Sequence, residues 1–152
     1  SKTEEMLQKS GVAYTFLRNS IYMENTINAA AKMLAEGRTV AAPGENKIGY
    51  VTRDDCAAAA VAVLTTPGHD NKAYDITGPE LVGQADIAAA ASAVTGKAIE
   101  VVPPAVGAPA QRFGASVAIV SDHVQKLTGR APTRIRALFE ANKSKLTGAK
   151  GT

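Results

Sequence analysis

A chain of 152 residues, 45% of them hydrophobic, is long enough for one ordinary domain with a sizeable core. With Trp absent and only three Phe and four Tyr, that core is expected to be built mainly from Ala, Val, Ile and Leu. The excess of 17 Lys and Arg over 14 Asp and Glu is small, and no bases interleave with stacking aromatics, which argues against nucleic acid as a partner. Much of the surplus sits at Lys126, Arg130, Arg134, Arg136, Lys143, Lys145 and Lys150, which read as a solvated helix face, with contact to an anionic ligand as the alternative. The single cysteine, Cys56, excludes an internal disulfide and reads as an inert thiol in an Ala-rich helix. No apolar run approaches a membrane span and the first residues lack signal-peptide character, so no membrane partner and a cytoplasmic location are expected.

Residues 3–11 read as a helix with Glu4 and Glu5 in its first turn and Gly11 as its stop. The chain therefore opens almost inside an element. No glycine-rich phosphate loop precedes the next strand, and the two observations together suggest a truncated product. Tyr14, Thr15, Phe16 and Leu17 form a buried-strand signal, and Glu24 and Asn25 open a helix running to residue 36, where Gly37 ends it. In an open parallel sheet, ligands bind beyond the carboxyl ends of strands, which places residues 18–22 beside a ligand.

A short strand is expected at 39–42, then a turn at 43–46 and a second extended piece at 47–51. Thr52, Arg53, Asp54 and Asp55 lead into a helix at 55–64, where Thr or Asp can accept the free N–H groups of the first turn. Further elements are a loop at 69–71, a strand at 73–77 broken by Gly78 and Pro79, a helix at 84–94 stopped by Gly96, and a strand at 98–102. The signal weakens over 105–118, and helices return at 121–127 and 133–145. Residues 1–146 read as one unit with no internal repeat, and 147–152 as a flexible tail. Thr-Gly pairs at Thr95, Thr128 and Thr147 follow apolar helices and read as C-caps, not phosphate loops. His69 and His123 lack the spacing of a metal site.

Four segments, residues 17–25, 49–64, 74–79 and 127–132, carry a resemblance in the right order. Together they resemble the C-terminal half of the NmrA-like, atypical short-chain dehydrogenase/reductase family, closest in flavour to its NAD(P)H:quinone oxidoreductase branch. The resemblance implies an α/β, partial Rossmann-like fold: a mostly parallel sheet with flanking helices, without the N-terminal glycine-rich dinucleotide-binding half. It further implies NADP or NAD as cofactor and hydride transfer to a quinone or related carbonyl. By the same resemblance, the loop after the first strand approaches the nicotinamide, which assigns Asn19, Ser20, Ile21 and Tyr22 to the cofactor. Asn25 hydrogen-bonds back to that loop, while Glu24 serves the helix N-terminus.

Tyr22, Arg112 and Phe113 are implied as the lining for a flat quinone-like substrate. The Tyr-x-x-x-Lys pair of typical relatives is absent, since Arg18, Thr26, Asp54 and Gly78 stand four residues after the four tyrosines. No catalytic residue is therefore assigned, in keeping with direct hydride transfer between two oriented rings. The alternative is a dinucleotide-sensing protein without turnover. Strands meant for burial on both sides imply either a missing N-terminal partner or self-association, and this chain alone is expected to be inactive and to bind cofactor poorly.

Overall fold

The computed structural model describes residues 1–41, 47–106 and 115–148. Helices α1 (Lys2–Lys9), α2 (Asn25–Glu36), α3 (Arg53–Thr65) and α4 (Gln84–Thr95) alternate with strands β1 (Thr15–Asn19), β2 (Arg38–Val40), β3 (Lys72–Ile76) and β4 (Glu100–Val102). A short 3-10 turn at Ala115–Val117 then leads to α5 (His123–Thr128), α6 (Ile135–Ala141) and α7 (Lys143–Thr147). The fold is α/β with parallel strands and flanking helices, as expected.

β1 pairs in parallel with β3, Thr15 opposite Lys72 and Asn19 opposite Ile76, while β2 pairs in parallel with β4. Among the described residues these are two separate two-stranded sheets, stitched by single bridges at Tyr22–Val51 and Ile48–Val82. Segment 47–51 was expected as an extended piece, and it contributes only these bridges. Gly49 gives its N–H to the Val117 carbonyl (2.9 Å) and to no ladder, and the backbone is closely packed here: a Cβ on Gly49 would collide with the Ile119 carbonyl, and one on Gly78 with the Tyr50 carbonyl.

Two hydrophobic clusters hold the elements. Met23, Ile27, Ala30, Met33, Ile87, Ala91, Phe139 and Leu146 pack α2, α4, α6 and α7 together. Val51, Cys56, Ala59, Ile76 and Val124 fill the space between β3, α3 and α5. Ala30, Ala59, Ala88 and Ala91 are all essentially inaccessible, because methyl-sized side chains let helices approach closely.

Several boundaries differ from the sequence expectation. The first strand begins at Thr15 and extends through Arg18 and Asn19, whose backbones remain in register with Asp75 and Ile76. The single helix expected at 133–145 breaks at Asn142, where the side-chain amide donates to the Leu138 carbonyl (2.9 Å) and competes with the helical ladder. Helix α2 ends as expected, at a left-handed Gly37. The turn at 43–46 and residues 149–152 of the tail lie outside the described residues, and Thr147 closes α7.

Candidate functional site beyond the ends of β1 and β3

A cleft of about 510 Å³ opens at the carboxyl ends of β1 and β3. Its walls include Arg18, Asn19 and Ser20 from the end of β1, Asp75 and Thr77 from β3 and its continuation, and Glu4 from α1. Ser116, Val117 and Ile119 close another side. The size suits a small ligand, and the place is where a parallel pair leaves its last backbone groups.

The candidate residues divide on this geometry. Asn19 is the last residue of β1 and is exposed. Ser20 continues the pairing, its N–H donating to the Ile76 carbonyl (2.9 Å), and its buried Oγ has no hydrogen-bond partner among the described residues. A buried hydroxyl without a partner is costly, so a polar ligand group beside it would be favoured. Ile21, Tyr22 and Asn25 do not line the cleft. The Ile21 carbonyl accepts from Val51 N–H (3.1 Å), which fixes the chain's course out of the site.

Tyr22 is 36% exposed, and the Arg53 guanidinium sits 5.0 Å from its ring centroid. One face of that ring is thus taken by a cation, where an open flat surface was expected. Asn25 is tied back to the loop through its backbone N–H, which donates to the Tyr22 carbonyl (3.1 Å). Glu24 stands at the N-cap of α2, as expected, but its side chain makes no capping bond there. Its Oε1 instead accepts from the Arg53 N–H (2.9 Å) at the start of α3, joining the two helix starts. Arg112 and Phe113 lie outside the described residues.

Sequence reading missed part of the cleft. Glu4 reaches across to Arg18 in a two-pronged pair, Nε to Oε1 at 2.8 Å and Nη2 to Oε2 at 3.0 Å. The Arg18 guanidinium beside it is the main cause that holds the Glu4 carboxyl at about 2, and the pair raises Arg18 in turn. Asp75 faces Arg18 across the strand register. Its presence followed from a parallel pairing of the two predicted strands, had their register been known. Thr77 is buried, accepts from Ser121 N–H (2.8 Å), and anchors the segment after the 3-10 turn to the cleft floor.

Behind the site, Asp55 is fully buried and fully employed. It accepts from the Thr52 hydroxyl (2.8 Å), from Arg130 Nη1 (2.7 Å) and from Thr133 N–H (2.8 Å), while Thr52 Oγ1 caps α3 by accepting from Asp55 N–H. The Thr52–Asp55 segment and the 127–132 segment, which carried the resemblance separately, therefore meet at one carboxylate. The C-terminal bases are largely consumed within the chain: Lys126 pairs with Asp122, Arg134 with Glu80 and Arg136 with Glu140.

His69 Nδ1 lies 2.8 Å from the Tyr74 hydroxyl and Nε2 lies 2.8 Å from Thr66 Oγ1. Because the Thr66 hydroxyl donates to the Ala62 carbonyl, it accepts from Nε2–H, and Nδ1 accepts from Tyr74. The ring is thus a structural link. Among the described residues no group of His, Cys, Asp and Glu has the arrangement of a metal site, and no helix is long and apolar enough to cross a membrane.

Asn19 and the unpartnered Ser20 hydroxyl offer donors and acceptors suited to a carboxamide, whereas the sequence has no glycine-rich strand-to-helix turn to cradle a pyrophosphate.

No family model matches the chain. Over 101 residues it is 37% identical to the NAD(P)H azoreductase of Xenophilus azovorans, a match covering 66% of this chain and 35% of that protein. Over 98 residues it is 39% identical to quinone oxidoreductase 2 of Escherichia coli strain K12, covering 64% of this chain and 34% of the relative. In three dimensions it superposes on the NADPH-dependent quinone oxidoreductase of E. coli, solved with NADPH, with a TM-score of 0.74 and 30% identity. That superposition covers 93% of this chain and 57% of the other, so the chain spans only part of the length of the proteins it matches.

Proposed function

We propose that this chain, a relative of the NmrA-like atypical short-chain dehydrogenase/reductases, forms the nicotinamide- and substrate-side part of an NAD(P)H-dependent oxidoreductase acting on a quinone or related carbonyl. The observation that carries the reading is the buried Ser20 hydroxyl, without a partner among the described residues, on a residue that lines a cleft beyond two parallel strands. When bound, the reduced nicotinamide supplies a hydride. The chain's own residues then orient: Asn19 and Ser20 hold the carboxamide edge, and the Ile21 and Tyr22 backbone, pinned by Val51, fixes the loop.

Tyr22 and Arg53 form a polar, cationic rim instead of an open stacking platform. Tyr22, Arg112 and Phe113 remain the proposed substrate side, and Asn25 supports the loop through its backbone. The residues serve NADP or NAD alike, because the groups that would recognise a ribose phosphate belong to the other half of such a site. Partners are a small quinone-like molecule and whatever covers the edge of β1 that is unpaired among the described residues, either an N-terminal half or a second copy.

The test is NADPH oxidation with a simple quinone by the product of the natural gene, with Ser20→Ala and Asn19→Ala as variants. Turnover that falls at least tenfold in either variant, through a raised KM for NADPH, is the expected result. Tight NADPH binding with no turnover on any quinone would instead favour a dinucleotide-sensing protein.

A further inference from the structure

The cleft holds a guanidinium that the orienting role above does not use. Two of the five N–H groups of Arg18 are taken by Glu4, and the fork geometry leaves Nη1 and one Nη2 hydrogen without a protein partner among the described residues. Arg18 also lines the cleft, and Asp75 faces it from β3. It is thus held from two sides on the wall of the cleft, hydrogen-bonded by one carboxylate and attracted by another. A cation fixed before the ligand arrives needs little reorganisation when charge develops beside it.

We propose that Arg18 is the oxyanion-stabilising residue of the cleft, donating to the acceptor's carbonyl oxygen, and that Glu4 is its positioning residue. The inference rests on the reading of the cleft as the place of a carbonyl acceptor. A quinone that takes a hydride from a reduced nicotinamide gains two electrons and one hydrogen and becomes a hydroquinone monoanion; the nicotinamide is oxidised, and a proton from water then completes the hydroquinone. The negative charge appears on the oxygen that Arg18 would hold. This explains how the site works without a Tyr-x-x-x-Lys pair: a permanent cation stabilises the oxyanion and solvent provides the proton.

The test needs no turnover. 4-Nitrophenol changes colour on ionisation, so absorbance reports which form residues 1–152 bind, and 4-nitroanisole is its neutral counterpart. Wild type is expected to bind the phenolate roughly tenfold more tightly than the phenol. Arg18→Met should abolish that preference while leaving 4-nitroanisole affinity within about twofold, a difference too small to reflect a lost charged hydrogen bond. Glu4→Gln, which removes the charged partner that fixes the guanidinium, should weaken the preference, and an unchanged or stronger preference overturns the positioning role; this variant keeps the test decisive if Arg18→Met fails to fold. An undiminished phenolate preference in Arg18→Met, or none in wild type alongside clear nitroanisole binding, overturns the assignment and spares the cleft. Failure of both compounds to bind, 4-nitrophenol in either form and 4-nitroanisole, overturns the cleft reading and the assignment with it.

Discussion

Asp55 shows how much one buried carboxylate can organise. Three donors from two distant parts of the chain converge on it, Thr52 from just before it and Arg130 and Thr133 from the connection after α5. Asp55→Ala is expected to cost about 3 kcal/mol, because Thr133 N–H and the Thr52 hydroxyl lose their partner inside the protein. Arg130→Ala should cost only about 1 kcal/mol, since that guanidinium is half exposed. Urea denaturation of both variants checks the order; equal costs would show that the hub is not the carboxylate. Cys56 makes a second prediction. Burial first, then Asp55 and Glu24, push its thiol up to about 11, so little thiolate exists at neutral pH. Iodoacetamide should label it slowly in the native chain and rapidly in urea. At this scale the sequence was informative where the partner is near: Thr52 caps the third residue on, as its type and place suggest. Glu24 takes the helix start expected of it, but its side-chain partner, the Arg53 N–H, was not legible because it is close only after folding.

At the scale of elements, α1 stands apart. It has an internal capping box and not one buried residue, so its attachment is polar: Glu4 to Arg18, and Gln8 Nε2 to the Tyr14 hydroxyl (3.3 Å). A helix of eight residues has little intrinsic stability, and its docking should follow the state of Glu4. That carboxyl is depressed from an ordinary value of 4.5 to about 2, so its contribution is fully present above 4.5 and is lost as pH falls through about 2. Amide exchange in α1 should therefore stay slow from neutrality to pH 4 and quicken toward pH 2, while exchange in α4 does not follow this titration. Loss of α1 protection already at pH 5 would contradict the pairing. The alternation of helices and strands was readable from period and punctuation, and α2 and α4 follow it closely. The end of β1 was not, because Arg18 and Asn19 are neither apolar nor β-branched, and only their register with β3 makes them strand.

For the whole molecule, the parallel pairs and flanking helices agree with the fold expected from the sequence, although the strands form two small sheets instead of one. Among the described residues β1 is paired on one side only, and α3 beside it carries Leu64 at 84% and Val61 at 59% exposure. An unpaired strand edge next to exposed aliphatic side chains favours association. Residues 1–152 are expected to sediment as more than a monomer, with Leu64→Lys shifting them toward the monomer; a concentration-independent monomer would refute this. Calorimetry should find NADPH binding to these residues weaker than micromolar, because nothing in the sequence cradles a pyrophosphate.

The pairing of β1 with β3 has one further consequence, in time. Thr15 meets Lys72 only after α2, β2 and α3 have been spanned, so the contact that shapes the cleft closes a long loop, whereas each helix forms locally. In refolding, helical signal should lead and 4-nitroanisole binding should trail it: the residues that would meet a ligand are gathered by the slowest event in the chain's own assembly.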